Sequence, residues 1–132
     1  VDQALRLPFN QAFRRETDFQ ALLDWQAVSP GMPPTALIFH ASRCGSTLMA
    51  QMLATLDDNI VLCEPPPLDN LLRAHRLDPK ATPHQPAWLA ALVSAYGQRR
   101  QGNEQRLFIK LDAWNVLEAP FASHIGPHWT RD

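Results

Sequence analysis

The segment from Thr35 to Leu53, TALIFHASRCGSTLMAQML, constrains the fold more than any other part of the chain. It opens with a short apolar run that ends at His40 and does not alternate polar with apolar residues. Such a run is typical of a strand buried on both faces, as in a parallel sheet. From Ser46 the apolar side chains recur at helical spacing; they are Leu48, Met49, Met52, Leu53 and Leu56. The segment therefore predicts a strand, a tight loop and a helix in succession.

Two later segments repeat the pattern of a buried strand, NIVLC (Asn59 to Cys63) and RLFIK (Arg106 to Lys110). Helices are predicted between them in PPLDNLLRAH and PAWLAALVSAYGQRR, and a weaker helical pattern follows in NVLEAPFASHI. Strands that alternate with helices are expected to run parallel and to be joined by helical crossovers. We therefore predict an α/β fold, with a doubly wound parallel sheet flanked by helices.

The N-terminal segment, residues 1–34, is predicted to form a helix and a proline-rich connection. In RRETDFQALLDWQAV, Thr17 is the expected N-cap and Gln20 completes a capping box. The segment SPGMPP ends this helix, because proline cannot continue it. At 132 residues the chain is predicted to form one small α/β domain or a piece of a larger one.

Charge and composition limit the classes of partner. The formal net charge of −1 gives no basis for binding nucleic acid or an anionic membrane. No apolar run approaches the ~20 residues of a membrane span, and no basic-then-apolar leader opens the chain, so we predict a cytoplasmic protein. Cys44 and Cys63 lack metal-binding spacing; we interpret them as free thiols and predict no metal site.

The loop before Ser46 has the features of an anion-binding site. In parallel sheets ligands bind beyond the carboxyl ends of the strands, where HASRCGST, CEPPP and KLDAWN are expected to converge. A helix N-terminus presents unpaired backbone N–H groups at the positive end of its dipole. Gly45 allows close approach of the backbone, Ser46 and Thr47 add hydroxyl groups, and Arg43 adds a permanent charge. Together these features indicate a phosphate-like ligand.

The nucleoside-triphosphate pattern GxxxxGK[ST] is the nearest general comparison. HASRCGST lacks its first glycine, and Gly45 rather than lysine precedes Ser46. This argues against an ordinary ATPase or kinase that holds a β/γ-phosphate with Mg²⁺. A P-loop-type nucleotide-binding module or kinase-like protein is the alternative hypothesis.

Three segments resemble the sulfotransferases that use 3′-phosphoadenosine 5′-phosphosulfate (PAPS). SRCGSTL is similar to their 5′-phosphosulfate loop, VLCEPPPLDNLL to the segment after their second strand, and RLFIKLDAWN to a later strand. The resemblance implies a P-loop-like sheet and transfer of a sulfuryl group from PAPS, without a bound metal, to a hydroxyl or amine. The acceptor would be a small molecule or a carbohydrate. The cofactor-binding residues implied are Ser42, Arg43, Cys44, Gly45, Ser46 and Thr47.

The resemblance also implies catalytic roles. Arg43 would neutralise the leaving phosphate, and Lys110 would either reach the transferred sulfonate or simply end its strand. Glu64 is the preferred general base, and Asp112 is the alternative base. Glu64 could instead pair with Arg43 or Lys110 to hold the loop. Of the tryptophans, only Trp114, close behind Asp112, is a candidate for contact with the acceptor.

One motif of the family is missing from this sequence. We find no strand ending in Arg and followed by Ser, which would hold the 3′-phosphate. We therefore predict that residues 1–132 are an N-terminal fragment and are inactive alone. The apolar ALIF strand would then have a bare edge, so an isolated fragment is expected to pair edge to edge, as in a homodimer, or to aggregate.

Overall fold

The structure is a computed structural model that describes residues 17–122 and Ile125. It contains helices, three strands and two 3-10 helices within that range. In chain order they are α1 (Phe19–Val28), β1 (Ala36–Ile38), α2 (Ser46–Ala54), β2 (Asn59–Cys63), α3 (Pro66–Leu72), α4 (Ala74–Leu77), a 3-10 helix (Pro79–Ala81), α5 (Gln85–Tyr96), β3 (Arg106–Lys110), a 3-10 helix (Ala113–Glu118) and α6 (Ala119–Ala122).

The three strands form a parallel sheet in the order β1-β3-β2. Ile109 of β3 lies opposite Leu37 of β1 on one side and Leu62 of β2 on the other. The prediction of an α/β fold with parallel strands is confirmed. Because the strands are parallel and in register, their carboxyl ends meet at one edge of the sheet. Within the described residues, one edge of β1 pairs with β3, and its other edge pairs with no strand.

The core lies between the central strand and the helices α3 and α5. Its largest fully buried apolar side chains come from α3 (Leu68 and Leu72), α5 (Leu89) and β3 with the residue after it (Leu107, Ile109 and Leu111). Helix α5 packs against both α1 and α3, and α2 packs against β2. No helix in the described part of the chain is long and apolar enough to cross a membrane.

The start of α1 differs from its prediction. Asp18, rather than Thr17, is the N-cap, and its carboxylate accepts a hydrogen bond from the N–H of Ala21 at 2.8 Å. The predicted capping box with Gln20 does not form, because the Gln20 amide donates to Asp24 instead. A carboxylate satisfies the free N–H and also complements the helix dipole. Residues 14–16 of the predicted helix lie outside the described part.

The apolar face of α2 is exposed, contrary to the usual expectation for an amphipathic helix. The exposed fraction is 62% for Leu48 and 64% for Met52, whereas Ala50 on the opposite face is only 1% exposed. Helical spacing correctly predicts that these apolar residues share a face. It does not reveal that α2 packs on the sheet through its small residues, Ser46 and Ala50.

This packing predicts opposite outcomes for two lysine substitutions in α2. Met52→Lys should change the free energy of unfolding by no more than about 0.5 kcal/mol, as is usual at an exposed site. Ala50→Lys should unfold the protein or destabilise it severely, because it places a charge where the helix meets the sheet. Chemical denaturation of both variants measures the difference. Equal destabilisation would contradict the observed orientation of α2.

Candidate functional site

A pocket of about 420 Å³ lies at the carboxyl ends of the strands. It is bounded by the loop between β1 and α2, the residue after β2, and the end of β3 with the residues that follow it. The structure thus brings together the three segments that the sequence predicted to converge. The lining residues are His40, Ser42, Arg43, Cys44, Gly45, Ser46, Thr47, Glu64, Lys110, Asp112, Ala113 and Trp114.

The loop from Ser42 to Thr47 is held in an unusual backbone conformation. Arg43 has a φ of 59° and Gly45 a φ of 85°, both in the left-handed region. A non-glycine residue is uncommon there, and such outliers concentrate at ligand sites. Ser42 and Arg43 form a hydrogen-bonded turn, whereas the backbone N–H groups of Gly45, Ser46 and Thr47 donate no hydrogen bond to the described part of the chain. They are therefore free to bind an anion at the start of α2.

Gly45, rather than Ser46, is the N-cap of α2. The left-handed turn at Gly45 makes Ser46 the first helical residue, where its side chain is buried against the sheet. A Cβ on Gly45 would meet no atom within 4 Å. Glycine is thus required here by the positive φ and not by lack of space.

Arg43 provides an uncommitted positive charge. Its side chain is exposed, lines the pocket, and forms no ion pair or hydrogen bond with any residue that the structure describes. The possible pairing of Glu64 with Arg43 is therefore not observed. Cys44, beside it, is an exposed free thiol, as is Cys63.

Glu64 and Lys110 form an ion pair at the sheet edge. The Lys110 ammonium, only 5% exposed in its side chain, donates to Oε1 of Glu64. The N–H of Glu64 also donates to the carbonyl oxygen of Lys110 at 2.7 Å, so Glu64 is tied to Lys110 at both ends. These two bonds hold Glu64 at a φ of 50°. Nε2 of His40 lies 3.5 Å from the same carboxylate oxygen.

The ion pair makes Glu64 a poor proton acceptor. The hydrogen bond from Lys110 lowers the pKa of Glu64 from its ordinary value of 4.5, and burial opposes that effect only partly. A carboxylate stabilised in its charged form binds a proton weakly. The geometry matches the second role considered for Glu64 in the sequence analysis, in which it pairs with Lys110 and holds the loop.

Asp112 has the opposite electrostatic environment. Burial raises the pKa of Asp112 above its ordinary value of 3.8, and the negative charges of Glu64 and Asp69 add to the effect. Lys110 and His40 oppose this rise. A carboxylate with a raised pKa at a pocket wall is a better general base than one held by a lysine.

A hydrogen-bond cluster centred on Asp69 in α3 was not predicted from the sequence. Oδ1 of Asp69 accepts from the indole Nε1–H of Trp114 and from the amide of Asn115, both at 2.8 Å. Oδ2 of Asp69 accepts from Arg73 at 2.5 Å. Although burial raises the pKa of Asp69, these three donors outweigh it and lower the pKa below 3.8. An acidic residue in the first turn of α3 was the only local signal.

The loop's chemistry fits a phosphate-like anion. A phosphate there requires backbone N–H groups, hydroxyl groups and a cation, and the loop offers all three beside a pocket. In the described residues, no group of three or more His, Cys, Asp or Glu side chains could hold a metal ion.

Searches against protein-family models, curated proteins and solved structures found no match.

Proposed function

We propose that this chain carries the donor half of a PAPS-dependent sulfotransferase site. The observation that supports the proposal most strongly is the loop Ser42–Thr47 at the edge of a pocket, where the N–H groups of Gly45 to Thr47 and the Arg43 charge have no partner among the described residues. The motif resemblance of the three pocket segments supports the same assignment. The fold is then a P-loop-like sheet, in which the loop-bearing strand β1 lies beside β3.

The sheet order is compatible with a doubly wound arrangement. The connection from β1 to β2 passes over β3, and the connection from β2 to β3 returns in the opposite direction. Right-handed crossovers running in opposite directions cover opposite faces of a sheet. Helix α2 then covers one face and α5 the other, as in the proposed family fold.

When bound, PAPS would supply the sulfuryl group for transfer to the acceptor hydroxyl or amine, with adenosine 3′,5′-bisphosphate as the leaving group and one acceptor proton given up. The residues of this chain support that exchange at fixed positions. Gly45, Ser46 and Thr47 bind the 5′-phosphate, and Arg43 stabilises the charge that develops there. Asp112 accepts the acceptor proton.

Lys110 and Glu64 act as a unit in this proposal. The buried Lys110 ammonium supplies positive charge near the transferred group, and Glu64 holds it in place. Glu64 is then a positioning residue, and Asp112 is the catalytic base. The acceptor is a hydroxyl or amine compound, including carbohydrates, and the protein is proposed to act in the cytoplasm.

Ligand-induced thermal stabilisation tests the donor assignment. Adenosine 3′,5′-bisphosphate should raise the melting temperature of the full-length protein, because a ligand that binds only the native state stabilises it by mass action. At a concentration 100 times its Kd the gain is about 2.7 kcal/mol. ATP should give a smaller shift, with or without Mg²⁺.

The control is Arg43→Ala, which should lose most of the bisphosphate shift while its melting temperature without ligand stays unchanged. A larger shift with Mg²⁺-ATP than with the bisphosphate would contradict the proposal. It would favour the alternative, a P-loop-type nucleotide-binding or kinase-like protein.

A further inference from the structure

Trp114 is both exposed and fixed. Its side chain is 54% exposed and lines the pocket beside Asp112. Its indole N–H nevertheless donates to the buried carboxylate of Asp69 at 2.8 Å. A hydrogen bond to a charged acceptor is stronger than one between neutral groups, so it restricts rotation of the ring. An exposed aromatic face is thereby presented to the pocket in one orientation.

Asp69 also controls the turn that carries Asp112. Its Oδ1 accepts from the amide of Asn115 at 2.8 Å, and Oδ1 of Asn115 accepts from the N–H of Asp112 at 3.0 Å. Asn115 is almost fully buried, so it cannot exchange this partner for water. One carboxylate on α3 therefore positions both the aromatic wall and the turn of the proposed base.

We propose that Asp69 is a positioning residue that holds Trp114 as a platform for the ring of the acceptor. The proposal rests on the proposed function and narrows its acceptor to a hydroxyl group carried on a six-membered ring with an apolar face. Such a ring packs against the indole, while its hydroxyl reaches toward Asp112. Phenols and sugars share this chemistry, and aromatic contacts of this kind favour offset stacking.

Three substitutions distinguish a positioning role of Asp69 from a general contribution to the stability of the protein. Asp69→Ala removes both bonds to Trp114 and Asn115. Asp69→Asn keeps an oxygen in the place of Oδ1 and should retain them. Arg73→Ala removes only the donor to Oδ2, from a side chain that is 44% exposed. The last two are matched controls for the first.

Exchange of the Trp114 indole proton with solvent, followed by NMR in the full-length protein, is the first readout. Trp114→Phe assigns the signal. Asp69→Ala should exchange about tenfold faster or more, which corresponds to losing one hydrogen bond to a charged group. Arg73→Ala should stay near the wild-type rate, and Asp69→Asn, which keeps the bond but not the charge, should lie between wild type and Asp69→Ala. Unchanged protection in Asp69→Ala would overturn the positioning role.

Binding of two probes, 4-nitrophenol and methyl β-D-glucopyranoside, is the second readout, measured with adenosine 3′,5′-bisphosphate present. Trp114→Leu should weaken at least one probe about tenfold, while the Kd of the bisphosphate is unchanged. The probe affected identifies a phenol or a sugar as the acceptor class. Trp114→Leu leaves Asp69 and Asn115 bonded, so this test remains valid if Asp69→Ala fails to fold.

The proposed platform role of Trp114 is overturned if wild-type protein binds neither probe, or if Trp114→Leu weakens the binding of neither probe. It is also overturned if probe and bisphosphate weaken equally, since that pattern reports general destabilisation. A failure of the bisphosphate to bind wild-type protein would instead contradict the proposed function. The indole exchange experiment would still decide the role of Asp69.

Discussion

Replacing Asp112 by Asn should lower the rate of sulfuryl transfer by about 10²- to 10⁴-fold, the usual contribution of a general base. Cofactor binding should remain nearly intact, because the change removes one charge without altering shape. The rate is measured in the full-length protein as transfer of radiolabelled sulfate from PAPS to 4-nitrophenol or methyl β-D-glucopyranoside.

The same substitution should stabilise the folded protein at neutral pH. The pKa of Asp112 is raised in the folded state, since burial and the charges of Glu64 and Asp69 penalise its carboxylate. This penalty is absent below the ordinary pKa of 3.8 and is fully present above the folded pKa. The advantage of Asp112→Asn over wild type should therefore grow as pH rises through that interval.

Glu64→Gln is the matched control, and its expected effect on the stability of the folded protein has the opposite sign. The pKa of Glu64 is lowered in the folded state, so its carboxylate stabilises the protein above the ordinary value of 4.5 and loses that effect as pH falls through the folded pKa. Removing it also leaves the buried Lys110 without its partner. Denaturation of both variants between pH 3 and 7 compares the two signs. If Glu64→Gln were the stabilising change and also lost more activity, Glu64 would be the base.

Replacing Arg43 by Ala should lower turnover by about 10²- to 10³-fold, as loss of one preorganised charge stabiliser does. The melting temperature should hardly change, because the exposed Arg43 side chain forms no hydrogen bond or ion pair with any residue in the described part of the chain. Arg43→Lys should keep part of the activity, since a point charge replaces the planar guanidinium.

Arg106→Ala is the control for loss of a positive charge. Arg106 begins β3, at the opposite end of that strand from the pocket, and pairs with Asp58 at 3.1 Å. It should leave turnover unchanged and cost at most about 1 kcal/mol of stability, as exposed ion pairs do. Near-normal turnover in Arg43→Ala would contradict the phosphate-loop assignment.

The expected behaviour of an isolated chain of residues 1–132 remains a prediction. Two features of residues 17–122 support it: only one edge of β1 is paired with another strand of that range, and the apolar face of α2 is exposed. Both are surfaces that favour self-association.

The sequence alone predicted the strands, the loop and the convergence of three segments at one sheet edge. These features depend on local patterns, because apolar runs and turn residues determine strands and loops within a few positions. All three buried-strand segments, TALIFH, NIVLC and RLFIK, contain the observed strands. The residues from Ser42 to Thr47 consequently lie at the pocket as expected.

Only the tertiary structure decided which charged groups are paired and which face of α2 is covered. Lys110 meets Glu64 from another strand, and Trp114 meets Asp69 from a segment 45 residues away. Such partners have no local sequence signal, because they depend on how strands and helices pack. The same dependence is why we propose Asp112 rather than Glu64 as the base, since a carboxylate's proton affinity follows from the charges and burial that folding brings to it.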